Sequence, residues 1–230
     1  MFDKRGGIYS SRPESHISSK IIYPDNIHNL FVPYSVKWRA FRKCAQQLLS
    51  ITAVEKFIPI QHAEATQTLH DLIHSPEEYY DHIRRYATAV ILATVYGQRG
   101  ARFSTPKVQA LYDVQDQFTD LVQPGATPPI DEFPVLKYLP EFMSPWKTRA
   151  RKIRSDQRAL YMALLNETKL KMGQDKEVDC FMSRLIKDQG KNGLADEDIA
   201  YVGGSYVGFS TNSYSLIHLS RVFLYFHCIL

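Results

Sequence analysis

Cysteine is scarce in this sequence: Cys44, Cys180 and Cys228 are the only three, odd in number and far apart. Neither a disulfide framework nor a Cys-x-x-Cys zinc site can be built from them, and a reducing compartment is the expected setting. Uninterrupted apolar runs are missing as well. The chain opens Met1-Phe2-Asp3-Lys4-Arg5-Gly6-Gly7, with nothing to act as a signal peptide or N-terminal anchor. The most apolar window, Tyr214 to Leu230, is broken by His218, Arg221 and His227, so a buried helix or an abnormal tail is expected there and not a membrane span. Cys228 has two residues behind it, one too few for a prenylated terminus. Charge of one sign is also in short supply: 28 basic against 24 acidic residues leave +4, too mild an excess to predict a nucleic-acid partner.

What is present reads as a mainly α protein with a small β region near the N-terminus. From Ile8 to Tyr34, short apolar clusters broken by Pro13, Pro24 and Pro33 predict brief strands and turns. After Tyr34 the period changes. Ser35 is placed to cap a helix whose face carries Trp38, Phe41, Ala45, Leu48 and Leu49. Further amphipathic helices are predicted over His62–His74 (Ala65, Leu69, Leu72, Ile73), from Glu77 to a stop at Gly97, and over Lys107–Val122 after Pro106. Six prolines between Pro124 and Trp146 forbid a continuous helix, while Ile130, Phe133, Val135, Leu136, Tyr138, Leu139 and Phe142 predict a packed connection within one domain. Ser144-Pro145 opens a long helix with inner residues Ile153, Leu160, Leu164 and Leu165, closed by Gly173. Its basic first half (Lys147, Arg149, Arg151, Lys152, Arg154, Arg158) is expected to be a solvated face. A shorter helix around Phe181, Met182 and Leu185 follows, and a last one begins at Asp196-Glu197.

Several motif look-alikes fail on chemistry. Gly203-Gly204-Ser205-Tyr206-Val207-Gly208-Phe209-Ser210 imitates a phosphate loop, but Phe209 stands where the lysine belongs, and Val207 spoils the nucleophile-elbow spacing. His70 and His74 share a helix face but lack the glutamate of a zincin, so no metal site is expected. Asn166-Glu167-Thr168 fits a glycosylation acceptor and is expected to be helix surface. Trp38 and Arg42 are more informative. One helical turn apart, they offer an indole N–H and a guanidinium on one face, a pair that can grip the carboxylate arms of a cofactor.

Lys4-Arg5-Gly6-Gly7-Ile8-Tyr9-Ser10-Ser11-Arg12-Pro13, Pro33-Tyr34 before Trp38-x-x-x-Arg42, and Arg84-Arg85-Tyr86-Ala87 leading to Val95-Tyr96-Gly97 resemble, in that order, the cytochrome P-450 monooxygenases, most closely the fungal microsomal branch. Asp131 to Pro140 resembles the connection before that family's long basic helix, and Asp196 to Tyr201 the start of its central helix. The resemblance covers residues 4–207, a partial cytochrome P-450 fold, and leaves 208–230 as a divergent apolar tail. It implies a haem-dependent, NADPH-cytochrome-reductase-driven hydroxylation of a small, secondary-metabolite-like substrate, with Trp38 and Arg42 on the haem propionates. The cytoplasm or the endoplasmic-reticulum surface is the implied location. An ungapped comparison puts Phe209-Ser210-Thr211-Asn212-Ser213-Tyr214 where the family carries its acid and hydroxyl pair, and Asn212 supplies no acidic proton. The sequence has no E-x-x-R motif and no thiolate loop. The expectation is therefore a truncated family member that neither retains haem nor turns over substrate. The alternative is a non-enzymatic helical binding protein that meets a membrane surface through its basic helix and apolar tail.

Overall fold

The computed structural model describes residue 11 and residues 14–100, 102–174 and 179–212. The expectations placed on residues 4–10, on 12–13, on the tail from 213 onward, on His218 and on Cys228 lie outside the described residues. In chain order, a π-helical turn (His16–Ile22) and a 3-10 turn (Pro24–Asn26) precede α1 (Val36–Leu49), α2 (Ile51–His74) and α3 (Tyr79–Tyr96). Then come α4 (Pro106–Val122), α5 (Pro145–Gly173), α6 (Phe181–Lys187), a single turn (Gln189–Asn192) and α7 (Asp196–Asn212).

No strand occurs among the described residues, which corrects the expected small β region. The cause is the spacing of the isoleucines. Ile17 and Ile22 are both buried and five residues apart, the period of a π-turn, and the Tyr23 N–H donates to the Ser18 carbonyl at 2.8 Å to close it. The turn packs on α5, so its apolar side is satisfied without a sheet partner. His28 sits in the same cluster, its ring 4.2 Å from that of Tyr23, with Nδ1 accepting from the Leu30 N–H at 3.2 Å. Burial pushes its pKa down to about 3. The unfolded chain takes up this proton near pH 6.5 and the folded chain does not, so stability is lost as pH falls below about 6.5. Between pH 7 and pH 5 the unfolding free energy is expected to fall about 2 kcal/mol further in the parent chain than in His28→Phe. Urea midpoints at the two pH values check this, and parallel slopes would refute it.

Helix starts and stops follow the local chemistry. The Ser35 hydroxyl accepts from the Trp38 N–H at 3.1 Å, Gly97 ends α3 at φ 63°, and Pro106 and Pro145 occupy the first turns of α4 and α5. α7 runs through the middle, against α3, α4, α5 and α6, with Ile199, Ala200, Tyr201, Val202 and Val207 all buried. Its glycines serve this packing. A Cβ on Gly203 would meet the Tyr96 hydroxyl at 2.6 Å, and one on Gly204 the Tyr161 ring at 2.4 Å. Close helix approach explains the run that imitated a phosphate loop.

Two faces differ from expectation. In α2, Leu69 is 62% and Ile73 78% exposed, because the helix turns Ala53, Phe57 and a charged residue, Glu64, inward. Leu49 in α1 is exposed as well. Of the apolar residues expected to pack in the proline-rich connection only Ile130 is fully buried; Phe133, Val135, Tyr138 and Phe142 stand in solvent, the last two 86% and 85% exposed. The prolines impose 3-10 turns at Pro134–Tyr138 and Glu141–Met143, whose three-residue period sends Leu136 and Leu139 inward and Val135 and Tyr138 outward.

Candidate functional site

The first turn of α1 is held at three points. Ser35 caps it, Lys37 Nζ donates to the Asp25 carbonyl at 3.1 Å, and the same ammonium pairs with Asp198 of α7 at 2.6 Å. Phe41, Cys44, Ala45 and Leu48 form the inward stripe of the helix. Trp38 is half-buried at its margin, tilted against the Tyr34 ring at 5.0 Å, and Arg42 is exposed one turn further on. Among the described residues, neither the Trp38 indole N–H nor the Arg42 guanidinium has a hydrogen bond or an ion pair.

Arg42 lies within electrostatic reach of a residue that sequence reasoning did not single out. Tyr206 of α7 has a buried hydroxyl with no hydrogen-bond partner, and its ring meets Phe181 edge-on at 5.8 Å. Burial pushes its pKa up, Cys44 adds to the shift, and the positive charge of Arg42 opposes it. No spacing rule connects residues 42 and 206; the Lys37–Asp198 pair ties α1 to α7, and α7 packs on α6. Among the described residues the Trp38 indole N–H and the Arg42 guanidinium, both without acceptors, form a donor pair for carboxylates, while the Tyr206 hydroxyl is fully buried.

The two described cysteines are engaged elsewhere. Cys44 is buried, and burial pushes its thiol pKa up, away from the thiolate. Cys180 is equally buried, and its Sγ accepts from the Ser183 N–H at 3.4 Å as the cap of α6. Neither offers a free axial thiolate. Surface hollows of about 450 Å³ beside Asn166 and Lys169, and of about 360 Å³ beside Arg84 and Tyr112, lie away from Trp38 and Arg42. In the second, Arg84 lies 3.8 Å over the Tyr112 ring and occupies the aromatic face itself.

The other singled-out residues resolve into structure. Along the basic half of α5, Lys147 donates to the carbonyls of Lys137 and Leu139, Arg151 pairs with Glu141, Lys152 with Asp156 and Arg158 with Glu197. Two of these partner carboxylates come from neighbouring elements that the sequence did not place there. In Asn166-Glu167-Thr168, Asn166 is exposed, but Thr168 is buried and its hydroxyl donates to the Leu164 carbonyl at 3.1 Å. No described helix is long and apolar enough to cross a membrane.

Comparison with known proteins points one way. The family model described as Cytochrome P450 matches residues 1–211. The chain is 34% identical over 224 residues to Cytochrome P450 monooxygenase acuC of Aspergillus aculeatus, covering 96% of this chain and 42% of that protein. It is 33% identical over 217 residues to Cytochrome P450 monooxygenase patH of Aspergillus clavatus, covering 93% and 41%. With Cytochrome P450 monooxygenase yanC of Aspergillus niger the figures are 31% over 211 residues, 89% and 39%. The chain thus spans about two fifths of the length of the curated relatives it matches.

Proposed function

Because this chain belongs to the cytochrome P450 family, we propose that residues 4–207 form part of a haem monooxygenase domain in which Trp38 and Arg42 hold the carboxylate arms of the cofactor. Haem, when bound, supplies the oxygen chemistry of the family. Arg42 contributes charge-assisted hydrogen bonds, and Trp38 an indole N–H and an apolar plane. The observation that carries this reading is the exposed Arg42 guanidinium, left without an acceptor among the described residues one turn from an equally unpaired indole.

The same reading assigns the described residues a grip and no thiolate for the iron. Cys44 and Cys180 are committed to the core and to a helix cap, so the polypeptide alone holds haem weakly and does not hydroxylate substrate. Electron delivery by an NADPH-cytochrome reductase and hydroxylation of a small secondary-metabolite-like substrate belong to the complete domain. Haem titration followed by Trp quenching and visible absorption tests this. Arg42→Leu and Trp38→Phe are each expected to weaken binding about tenfold or more, the size of one lost charged or indole hydrogen bond. Unchanged affinity in both variants overturns the grip; a thiolate-type spectrum or substrate turnover overturns the inactivity.

A second reading is favoured by Tyr138 and Phe142, apolar rings in solvent immediately before the basic helix α5. This arrangement suits a protein that rests on an anionic membrane surface without chemistry of its own. Flotation of the same preparation with anionic liposomes separates the readings: binding that Tyr138→Asp and Phe142→Asp abolish, together with absence of haem uptake, favours the second.

A further inference from the structure

We propose that His70 and His74, in the last turns of α2, chelate a divalent transition-metal ion of the copper, nickel and zinc group through their Nε2 atoms. Both side chains are exposed, and their rings stack at 4.0 Å between centroids and 23° between planes. His74 Nδ1 lies 2.8 Å from the His70 carbonyl. A carbonyl only accepts, so that nitrogen carries the proton and Nε2 keeps its lone pair. His70 Nδ1 lies 3.7 Å from Asp71 Oδ1, and a carboxylate on that side favours the same tautomer. Asp71 is itself held: Oδ1 accepts from Gln67 at 2.7 Å, and Oδ2 faces the buried Arg85 at 3.3 Å. His74 therefore has its Nδ1 edge anchored and its Nε2 free, the outer-shell pattern that orients histidine ligands, while His70 faces Asp71 from beyond hydrogen-bond distance.

The geometry is within reach of coordination. An ion about 2.0–2.1 Å from two imidazole nitrogens holds them roughly 3 Å apart and lies in the plane of both rings, so the stacked pair has to open, the exposed His70 ring turning about its side-chain torsions while His74 keeps its Nδ1 contact. Other described histidines lack this arrangement. His28 is buried with Nδ1 in use, and His82 Nε2 is held by the Ser75 hydroxyl and carbonyl at 2.9 and 2.8 Å. Among the described residues no group of three or more His, Cys, Asp or Glu could hold a metal ion, so water completes the coordination shell. Imidazole ligands select copper, nickel and zinc over magnesium and calcium, which take oxygen. The bound ion ties two successive turns at the corner between α2 and α3 and stabilises the folded chain by mass action.

Calorimetric titration of the whole chain with Ni²⁺ is expected to show one saturable site that Mg²⁺ does not compete for. His70→Gln and His74→Gln, exposed changes that should leave the helical circular dichroism intact, are each expected to weaken it at least about tenfold. Nickel binding of parental strength in the double variant overturns the proposal. Zinc should also protect His70 and His74 of the unaltered chain from diethyl pyrocarbonate while the exposed His62 stays reactive. Equal modification of all three in the presence of zinc overturns it as well.

Discussion

Arg85→Met is expected to lower the unfolding free energy by about 3–5 kcal/mol, the cost of stranding a buried charge. The charge is Glu64. Its side chain and that of Arg85 are 5% and 4% exposed, and Arg85 Nη1 donates to Glu64 Oε2 at 2.6 Å across the α2–α3 interface. Nη2 donates to the Thr68 hydroxyl at 2.9 Å and to the Glu64 carbonyl at 3.3 Å. Nε is within ion-pair distance of Asp71, 3.3 Å, but out of line for a hydrogen bond. After the substitution Glu64 keeps only Arg99, at 2.7 Å, whose side chain is largely in water and screens poorly as a buried partner. A second variant isolates the cause. Glu64→Leu combined with Arg85→Met removes both charges and should recover most of the loss, since apolar replacement of a buried pair is often neutral. Urea titrations followed by circular dichroism read both. A loss under about 1 kcal/mol for Arg85→Met, or no recovery in the double variant, contradicts the account.

Gly204→Ala is the other large effect, expected at about 3 kcal/mol or more, at the upper end of overpacking costs. The new methyl group would sit 2.4 Å from two atoms of the Tyr161 ring and 2.6 Å from a third. That ring is buried and set edge-on to Tyr201 at 5.4 Å, so it has no free direction in which to retreat. Alanine's better helix propensity, worth about 1 kcal/mol, does not offset the clash. Gly208→Ala is the control. There the close neighbour is Gln115 Oε1 at 2.7 Å, the end of a flexible side chain, and the substitution should cost far less. Thermal or urea midpoints of the two variants test the order; a reversed order removes the packing explanation for these glycines.

Much of the helical plan was legible along the chain because caps and stops act locally. Ser35, Gly97, Pro106 and Pro145 do at residue level what their chemistry dictates, and the 3.6-residue period of α4 and α5 needs no partner to be seen. The N-terminal segment was misread for a physical reason: isoleucines among prolines look like strands, whereas the five-residue spacing of Ile17 and Ile22 suits a π-turn once α5 supplies a wall. In the connection after α4, hydrophobicity alone could not tell which rings find a partner, and Tyr138 and Phe142 find none among the described residues.

The site divides the same way. Trp38 and Arg42 were visible because four residues on a helix is one turn, and that geometry is intrinsic to the backbone. Tyr206, the inward turn of Glu64 towards Arg85, and the anchored Nδ1 edge of His74 were not, since each depends on groups brought together across the fold or on a rotamer chosen by its surroundings. What the sequence determined by itself is most of the helices and their ends and the one-turn spacing of Trp38 and Arg42, but not the start of α2, which begins at Ile51 and runs through Pro59 where the sequence placed it at His62. Only the tertiary structure decided which charges are buried and which aromatic rings stay in water, because burial and pairing are properties of packed surfaces and not of a single element.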